Sequence, residues 1–397
     1  MSEIFSGSFT QQEPISEDAI EAALAVLRSG RLHRYNVAEG EAGETALLEQ
    51  EFAAQMGAKY CLAVASGGYA LATSLRAAGV KPGDKVLTNA FTLAPVPGSI
   101  ASVGAEPVFV EVAENLTIDL DDLAAKADRA KVLMLSHMRG HLCDMDRLME
   151  ICNAAGITVI EDCAHTMGAS WNGVLSGRHG AVGCYSCQTY KHVNSGEGGL
   201  LITDDAEIAA RAIMLSGSYM LYGRHMAAPP PEVFEQVKYE TPNISGRMDN
   251  LRAAILRPQL RDLDTQVERW NVRYREVENG LRGTPGLTVV ARPAKEVYVG
   301  SSIQFLLLDW SEDAVQEAVR RCAARGVELK WFGTPEPVAF TSRYDSWRYA
   351  ETPRLPQSDR VLAGIIDMRV PLTFSVEDCA QIARIIRAEV SAVYQSA

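Results

Sequence analysis

The chain of 397 residues is long enough for two or three domains, and its 47% hydrophobic and 22% charged residues exclude a wholly disordered protein. Its 38 basic and 50 acidic residues give a net charge of −12, which makes nucleic acid or an anionic membrane a poor main partner. The apolar runs are too short to cross a bilayer, and the first residues lack the basic and apolar regions of an export signal.

The eight cysteines are scattered along the chain and do not form the pattern of a disulfide framework. We therefore expect reduced thiols and a cytoplasmic location. Cys184 and Cys187 have the spacing of a zinc-ligand pair, but the sequence holds neither a second CxxC pair nor a matching histidine pair. We accordingly expect no metal site there.

Short apolar runs alternate with helical stretches between residues 58 and 215. The runs predict buried strands at Tyr60–Ala65, Val86–Thr88, Pro107–Val110, Val132–Ser136, Thr158–Asp162, Val182–Ser186 and Leu200–Thr203. The segments between several of them predict helices over Tyr69–Ala78, Asp144–Ala155 and Asp205–Leu215. This alternation predicts a mostly parallel, doubly wound α/β domain, in which ligands bind at the carboxyl ends of strands.

The remainder of the chain predicts a loop, a long helix and a smaller domain. Residues 216–248 are interrupted by three consecutive prolines and predict a long loop of the kind that is often functional. An apolar stripe from Leu256 to Leu281 predicts a helix that links two domains and is kinked, or begins, at Pro258.

The last part of the chain, from about residue 285, predicts a smaller α+β domain. Its expected elements are two strands and two helices, at Ile303–Leu308, Glu328–Trp331, Glu312–Arg325 and Val376–Tyr394. We therefore divide the chain into a large α/β domain over residues 1–255 and a small domain over residues 256–397.

The segment Ser66-Gly67-Gly68-Tyr69-Ala70-Leu71 predicts a strand that opens into a helix through two glycines. Such a turn aims free backbone N–H groups and the positive end of the helix dipole at an anion, usually phosphate. The segment lacks the Gly-Lys-Ser/Thr of a P-loop and the GxGxxG of a dinucleotide-binding turn. A plain helix start therefore remains the alternative interpretation.

A second polar cluster ends the predicted strand Thr158–Asp162. Glu161 and Asp162 are adjacent and point to opposite faces of the sheet, so they do not form a paired-carboxylate acid/base site. A buried Asp162 needs a cation or hydrogen-bond donors to stay ionised, and a protonated pyridine nitrogen would meet that need. The alternative is that Asp162 caps a turn and that His165 is a satisfied polar residue.

A lysine follows the predicted strand Val182–Ser186 and precedes a glycine-rich stretch. In a desolvated site the pKa of Lys191 would fall, and its amine would become a nucleophile able to form a Schiff base. The glycines after it allow the backbone to approach a ligand closely. A solvated surface lysine is the alternative for any single lysine.

Together these motifs resemble the DegT/DnrJ family of pyridoxal-phosphate-dependent aminotransferases, which make amino sugars and aminocyclitols and have the type I aminotransferase fold. The resemblance runs from about Ser16 to the C-terminus and is sharpest in Ser66–Leu71, Glu161–His165, Ser186–Gly199 and Gly246–Met248. It implies a homodimer with active sites at the interface. It also implies L-glutamate or L-glutamine as the amino donor and a keto sugar or cyclitol as the acceptor.

The resemblance implies catalytic roles for three residues. Lys191 matches the lysine that forms the Schiff base with pyridoxal 5′-phosphate and later moves the proton. Asp162 matches the carboxylate partner of the pyridine nitrogen. His165 matches the position near the phenolic oxygen of the cofactor.

The resemblance also implies a set of further cofactor contacts. The expected phosphate contacts are the Ser186 hydroxyl and the turn formed by Gly67, Gly68 and Tyr69. Phe91 falls where the family places an aromatic ring on the pyridine. Asn243 is the candidate for a phosphate contact from a neighbouring subunit, although the position that is commonly asparagine in the family is here Ser245.

The sequence departs from the family pattern at two other places. Gly68 stands where the family usually has threonine, so a side-chain hydroxyl at the phosphate is lost. Ser301–Gln304 stands where many members that act on sugar nucleotides carry a histidine. This departure weakens a nucleotide-sugar assignment. The pattern Ser186-x-Gln188 with Lys191-x-x-x-Ser195-Gly-Glu-Gly is similar to the cyclitol and aminohydroxybenzoate branch of the family.

Other polar residues allow more than one interpretation. His137 and His141 suggest a metal site, but they follow a strand and need not share a helical face. The resemblance implies a position near the substrate instead, because the family has a similar His-x-x-Gly stretch there. Arg139, Lys330 and Arg247 are candidates for binding the carboxylate of the amino donor. Each of the three also fits a surface or ion-pair role.

Two other functions stay open. The first is a different pyridoxal-phosphate reaction, such as that of a sugar dehydratase or a lyase. Lys191 argues against the dehydratase branch, which has histidine in its place, although His192 is adjacent. The second is a regulatory or scaffold protein that keeps the fold without turnover.

Overall fold

The structure of the protein is a computed structural model that describes residues 3–339 and 341–396. Its helices are α1 (Glu17–Ser29), α2 (Glu44–Met56), α3 (Gly67–Ala77), α4 (Pro95–Ser102), α5 (Leu120–Ala125), α6 (Met145–Ala155), α7 (Ala206–Leu215), α8 (Pro231–Val237), α9 (Asn250–Arg261), α10 (Leu263–Leu281), α11 (Glu312–Ala324), α12 (Pro356–Gly364) and α13 (Val376–Ser396). Its strands are β1 (Tyr60–Val64), β2 (Lys85–Asn89), β3 (Glu106–Val110), β4 (Val132–Ser136), β5 (Thr158–Asp162), β6 (Ser170–Trp171), β7 (Val174–Leu175), β8 (Val182–Ser186), β9 (Gly199–Thr203), β10 (Thr288–Val289), β11 (Glu296–Val297), β12 (Ser302–Leu306), β13 (Lys330–Trp331) and β14 (Ile365–Arg369).

The central sheet contains all seven strands predicted for the large domain, in the order β1-β9-β8-β5-β4-β2-β3. The pairs from β8 to β3 are parallel, and β9 pairs with both of its neighbours in the antiparallel direction. The prediction of a mostly parallel α/β domain is therefore confirmed. Because β1, β5 and β8 run in the same direction, their carboxyl ends meet at one edge of the sheet.

Helices cover both faces of this sheet because successive strand residues face opposite sides. On β1, Leu62 and Val64 belong to the apolar cluster that includes residues of α3 and α7. Cys61 and Ala63 belong to the cluster that includes residues of α2 and α9. The two clusters fix the strand ends that carry the polar residues discussed below.

From its prolines we predicted that segment 216–248 is a long loop, but part of the segment is helical. It contains α8, which has a proline at its first turn, where the missing N–H is not needed. Phe234 of α8 is buried and stacks on Tyr222, with ring centroids 4.2 Å apart. The prolines therefore start a helix here, and the chain remains irregular on either side of it.

The predicted linking helix is two helices, α9 and α10, which meet at Asp262. Pro258 neither begins the helix nor marks its break, because it lies buried inside α9. The apolar stripe nevertheless continues across the junction, and Leu260 and Leu263 pack in the same cluster. Farther along, Tyr274 of α10 belongs to the core of the smaller domain.

The smaller domain is built on an antiparallel sheet in the order β10-β12-β14-β13, packed against α11 and α13. The sequence prediction missed β14, which lies between two strands that it found. Phe5 and Phe9 also belong to this core, where both rings contact Phe374. The first residues of the chain thus pack on the smaller domain, although the predicted boundary counts residues 1–255 as the large one.

All eight cysteines are buried, and none of them forms a disulfide within the described ranges. Burial raises the pKa of the Cys187 thiol to about 12 and that of Cys184 still further. Across the described residues, no helix combines the length and the apolar character that crossing a membrane requires.

A buried ion pair joins α2 to the chain that precedes it and to the central sheet. Both oxygens of the Glu49 carboxylate accept hydrogen bonds of 2.9 Å from Arg34, and Oε1 also accepts the amide of Ala63 in β1. His225 Nδ1 lies 3.1 Å from Glu49 Oε2. Burial alone raises the pKa of Glu49, but Arg34 and His225 outweigh it and lower the pKa to about 2.

We predict that Glu49→Gln lowers the free energy of unfolding by about 3–5 kcal/mol at pH 7, because it leaves the Arg34 charge buried without a counter-ion. The ordinary pKa of a glutamate is 4.5 and that of Glu49 is about 2. The stabilisation is therefore complete above pH 4.5 and is lost as the pH falls toward 2. Urea unfolding at several pH values measures both effects. The exposed pair of Glu207 with Arg211 supplies the control, since Glu207→Gln should cost less than about 1 kcal/mol.

Candidate active site

A cavity of about 400 Å³ lies at the carboxyl ends of β1, β5 and β8. The three sequence motifs meet there, because each follows one of these strands. The smaller domain and the segment before α1 close the opposite side. The residues that line the cavity include Gln12, Ser66, Gly67, Gly68, Leu93, Arg139, Asp162, His165, Ser186, Tyr190, Lys191, Trp270, Ser301 and Arg369.

Lys191 extends into this cavity from the turn that follows β8. Its Nζ lies 3.1 Å from His165 Nε2. Burial lowers the pKa of Lys191, the positive charges of Arg139 and Arg369 lower it further, and Asp162 opposes them. The resulting pKa is about 7, so a large share of the amine is neutral and nucleophilic near neutral pH.

Asp162 ends β5 and faces the same cavity. Its Oδ2 accepts a hydrogen bond of 3.2 Å from the Ser136 hydroxyl, and its Oδ1 accepts the amide of Ala164 at 3.2 Å. Burial raises the pKa of Asp162 above its ordinary value, in spite of the opposing effect of Lys191 and of these donors. A cation placed against this carboxylate would therefore be stabilised strongly.

Glu161 faces the other side of the sheet, as the alternation of strand residues predicts. Its carboxylate contacts His137 Nε2 at 2.9 Å and accepts the backbone amides of Gly177, His179 and Gly180. This saturated, fully buried carboxylate ties the chain between β7 and β8 to β5. Glu161 thus supports the strand that presents Asp162.

His165 is half-buried beside the amine of Lys191. Burial lowers the pKa of His165 well below its ordinary value, and the charges of Lys191 and Arg139 add to the effect. The imidazole is therefore neutral, and it shares a hydrogen bond with the amine without adding positive charge. His165 lines the same cavity as Lys191 and Asp162, and its position near the phenolic oxygen of the cofactor stays a prediction.

The turn between β1 and α3 brings backbone amides close to Ser186. The Ser66 hydroxyl caps α3 by accepting the amide of Tyr69 at 3.1 Å. A Cβ on Gly67 would approach the Cβ of Ser186 to 2.8 Å, so only glycine fits this crossing. The amides of Gly67 and Gly68 and the Ser186 hydroxyl thus border one end of the cavity, where an anion would meet the helix N-terminus.

We predicted that the amide of Tyr69 contacts the phosphate. In the structure this amide instead donates a hydrogen bond to the Ser66 hydroxyl. Its side chain has a different task. The hydroxyl lies 3.0 Å from the carbonyl oxygen of Leu215 and 2.9 Å from that of Ile244. Tyr69 therefore holds the chain after α7 against α3.

Phe91 is not in the cavity, contrary to the expected stacking position. It is 1% exposed and packs edge-on against Phe332 of the smaller domain, with ring centroids 5.1 Å apart. Leu93, two residues later, lines the cavity instead. The chain turns after β2, and because of this turn Leu93 rather than Phe91 faces the cavity.

Asn243 lies outside the cavity of its own chain. Its side-chain oxygen accepts the amide of Tyr219 at 2.9 Å, and the residue is exposed. Ser245, at the alternative position, is exposed as well. Neither residue touches the phosphate end of the cavity within this chain, so a contact from a neighbouring subunit stays a prediction.

The two histidines of the His137–His141 segment point to different partners. His137 contacts Glu161, and His141 Nε2 lies 2.8 Å from Gln304 Oε1 in the smaller domain. Ligand atoms of His137, Glu161 and Cys163 lie within 4.8 Å of one another. The Glu161 oxygens, however, are already occupied by backbone amides, which explains the cluster without a metal ion.

Sequence reasoning missed several residues of this site, two of which bear on its charges and hydrogen bonds. Arg369, at the end of β14, lines the cavity from the smaller domain, and Ser136, at the end of β4, supports Asp162. Ser136 follows an apolar strand next to β5 and could have been found from the rule that sites lie at strand ends. Arg369 had no such signal, because β14 itself was not predicted.

The model of the DegT/DnrJ/EryC1/StrS aminotransferase family matches residues 13–387 of this chain. One curated relative, the L-glutamine:2-deoxy-scyllo-inosose aminotransferase of Streptomyces lividus, is 34% identical over 254 residues, which are 62% of this chain and 59% of that protein. A pleiotropic regulatory protein of Geobacillus stearothermophilus is 35% identical over 56% of this chain and 57% of its own length. The matched segments thus span less than two thirds of either relative.

A solved structure, that of DesV of S. venezuelae, superposes with a TM-score of 0.77 and 26% identity, over 93% of both chains. The chain belongs to the DegT/DnrJ/EryC1/StrS aminotransferase family, because the family model covers nearly its whole length. The family and the fold predicted from the sequence are therefore confirmed. Pyridoxal 5′-phosphate is the cofactor of this aminotransferase family.

The residues of the cavity fit this cofactor. Desolvation raises the pKa of the half-buried Asp162 carboxylate, so a positive partner would stabilise its charge, and a protonated pyridine nitrogen would be such a partner. At another part of the wall, the turn at Gly67 and Gly68 and the Ser186 hydroxyl suit a phosphate. In the same cavity, the largely neutral Lys191 amine is available for an aldehyde.

We predict that Gly68→Ser strengthens cofactor binding by about tenfold, because a charge-assisted hydrogen bond is typically stronger than a neutral one. A Cβ at this position meets only the Cβ of Pro95, at 3.9 Å, so the new hydroxyl fits beside the phosphate end. The neighbouring Gly67→Ala should instead weaken binding by tenfold or more, because its Cβ collides with Ser186. Equilibrium titration of the apoprotein with pyridoxal phosphate measures the dissociation constant of each variant. A change of the same size and direction in the two variants would contradict the prediction.

Proposed function

We propose that this protein transfers the amino group of L-glutamine or L-glutamate to a ketone of a cyclitol or sugar. One observation carries the proposal: the half-buried Lys191 amine, with a pKa of about 7, shares a cavity with the half-buried Asp162 carboxylate and a neutral histidine. The inosose aminotransferase relative supports a cyclitol acceptor.

The binding half of the proposal assigns residues to the cofactor. Ser186 and the amides of Gly67 and Gly68 bind the phosphate, and Asp162 binds the pyridine nitrogen. Bound there, pyridoxal phosphate supplies an aldehyde and an electron-withdrawing ring that stabilises negative charge on the reacting carbon. Leu93, in place of an aromatic ring, offers an apolar contact at the wall.

The catalytic part of the proposal concerns the proton that leaves the α-carbon of the amino donor. The neutral Lys191 amine takes up the proton that the donor's α-carbon loses and delivers it again as the amine is passed on. His165 directs the lone pair of this amine through the 3.1 Å hydrogen bond. Asp162, fixed by Ser136 and Ala164, favours the positive charge on the ring nitrogen throughout.

Amino transfer to scyllo-inosose or 2-deoxy-scyllo-inosose, followed by mass spectrometry of the product, tests the proposal with the cofactor-loaded protein. We expect an amine product with L-glutamine or L-glutamate as donor. Lys191→Ala should reduce the rate by about 100- to 10,000-fold, because it removes the proton-transfer group. Lys295→Ala, at an exposed pair with Asp146, is the matched control and should leave the rate unchanged.

A regulatory protein without turnover is the second candidate, since the Geobacillus stearothermophilus relative carries a regulatory name. Under that alternative the protein binds the cofactor, but its absorbance does not change when any amino donor is added. A lyase or dehydratase would consume the sugar without forming an amine. The intact set of Lys191, Asp162 and Ser186 favours an enzyme over the regulatory protein, because burying these groups costs free energy that only catalysis would justify. Lys191 itself argues against the dehydratase branch, which has histidine in its place.

The proposal includes a homodimer in the cytoplasm. The chain after α7 exposes Tyr219, Met220 and Ile244, which are 56%, 55% and 47% exposed. Tyr69 fixes this apolar surface beside the phosphate end of the cavity. A second copy of the chain would cover the surface and bring Asn243 or Ser245 toward the neighbouring site. The eight unpaired cysteines support a reducing compartment.

We predict that Met220→Glu shifts the protein from about twice 43.1 kDa toward the monomer mass, because a charge would be buried in the interface. Multi-angle light scattering measures the mass. Val297→Glu changes a side chain of similar exposure in β11 and should leave the dimer intact. A monomeric wild-type protein would refute the proposed assembly.

A further inference from the structure

A second, smaller cavity lies beside Lys191. Its volume is about 120 Å³, and we call it the side pocket. Its wall is formed by the segment before α1, the turn that carries Lys191 and the junction of α9 with α10. Gln12, Lys191 and Trp270 line both the side pocket and the larger cavity, so these three residues lie between the two. Apart from Lys191, no residue that we assign to the cofactor lines the side pocket.

The wall of the side pocket includes the imidazole of His192, which is only 7% exposed. Its Nε2 lies 3.0 Å from the Ser301 hydroxyl, and its ring packs edge-on against Trp270, with centroids 5.3 Å apart. Its Nδ1 is buried and has no hydrogen-bond partner among the described residues. Buried polar atoms are almost always hydrogen-bonded, either to protein or to water. Because His192 lines the side pocket and not the larger cavity, the partner of Nδ1 comes from the side pocket.

The partner of Nδ1 must suit a neutral ring. Burial and the charge of Lys191 lower the pKa of His192 to about 3, so the imidazole carries no charge near neutral pH. In a neutral imidazole one nitrogen donates and the other accepts, and the Ser301 hydroxyl can serve Nε2 in either role. Water likewise both donates and accepts, so it satisfies Nδ1 in either tautomer of the ring.

The walls of the side pocket are fixed on two sides. Gln259 of α9 accepts the backbone amide of Asn194 at 2.9 Å and donates to its carbonyl oxygen at 2.8 Å, which ties the turn after Lys191 to the helix. On the other side, both carboxylate oxygens of Glu13 accept hydrogen bonds from Arg269 of α10. The pocket is therefore a built polar space, and because a water molecule takes roughly 30 Å³ in the liquid, a few water molecules fit there.

Amino transfer takes up one water molecule and later returns one. When the amino donor becomes a keto acid, the bond from its α-carbon to nitrogen breaks and a bond to a water oxygen forms. The two hydrogens of that water go to the nitrogen that stays behind. The second half-reaction reverses this exchange at the ketone and releases a water molecule. With cofactor and substrate in the larger cavity, the side pocket is the adjoining polar space that can hold this water.

We propose that the side pocket binds water at His192 Nδ1, supplies the water molecule that the first half-reaction consumes and takes back the one that the second releases. The inference rests on the proposed function and adds a solvent site to it. His192 is a positioning residue here, because it acts through the water that it holds. The water reaches the reacting carbon between Gln12, Lys191 and Trp270, which border both cavities.

Two substitutions of His192 form a matched pair that separates its two nitrogens. A glutamine amide reaches the place of Nε2, and an asparagine amide reaches the place of Nδ1. His192→Gln therefore keeps the contact with Ser301 and removes the group at Nδ1, whereas His192→Asn does the reverse. Crystal structures of the cofactor-loaded proteins should show an ordered water at hydrogen-bond distance from Nδ1 in the wild type and from the amide in His192→Asn. His192→Gln should lack this water.

Two rates measured with L-glutamine in D₂O separate the water step from the proton step. Exchange of the α-hydrogen of L-glutamine for deuterium, followed by NMR, needs the Lys191 amine but consumes no water. Formation of the keto acid needs the amine and the water. His192→Gln should slow keto acid formation by about tenfold, which corresponds to one lost hydrogen bond, and leave the exchange within about twofold. His192→Asn should leave both rates close to those of the wild type.

The water site is overturned if the wild-type crystal structure shows no water at His192 Nδ1, or a cation in its place. The supply of water is overturned if His192→Gln changes neither rate. It is also overturned if this variant slows exchange and keto acid formation equally, since a general loss of structure slows both. If the wild-type protein converts no amino donor, the proposed function fails instead. The crystal structures then decide by themselves whether the side pocket binds water.

Discussion

Burying the Lys191 amine and the Asp162 carboxylate in one cavity costs free energy, and much of the surrounding structure offsets that cost. Ser136 and Ala164 supply donors to the carboxylate, while the neutral His165 accepts contact with the amine. The parallel strands make the arrangement possible, because they deliver all these groups to one edge of a rigid sheet. The same burial that is unfavourable for the fold keeps the amine reactive near neutral pH.

Much of this site follows from the sequence by simple rules. Strands buried on both faces read as short apolar runs, and the polar residues that follow them must meet at the carboxyl edge. Lys191, Asp162 and Ser186 are therefore predictable as neighbours without any knowledge of the packing. The crossing of Gly67 over Ser186 is predictable only as a glycine turn, since its partner belongs to a strand more than a hundred residues away.

Other features depend on tertiary packing that no local pattern reveals. Phe91 and Leu93 are both apolar, and the turn after β2 decides which of them faces the cavity. The strand β14 carries Asp367 and Arg369 where an apolar alternation would be expected, because both charges are compensated by residues of other elements. Pro258 is tolerated inside α9, which the rule for prolines in helices does not foresee.

The aromatic contacts of Phe5 and Phe9 with Phe374 also affect how the polypeptide matures. Phe5 donates its amide to the carbonyl of Arg325, and its ring lies 5.0 Å from that of Phe374. Phe5 and Phe9 thus complete a core whose other members, from Tyr274 to Val393, lie more than 260 residues farther along the chain. That core closes only after translation of α13, and long-range closure of this kind slows folding. Until then Phe5 and Phe9 lack most of their packing partners in this core.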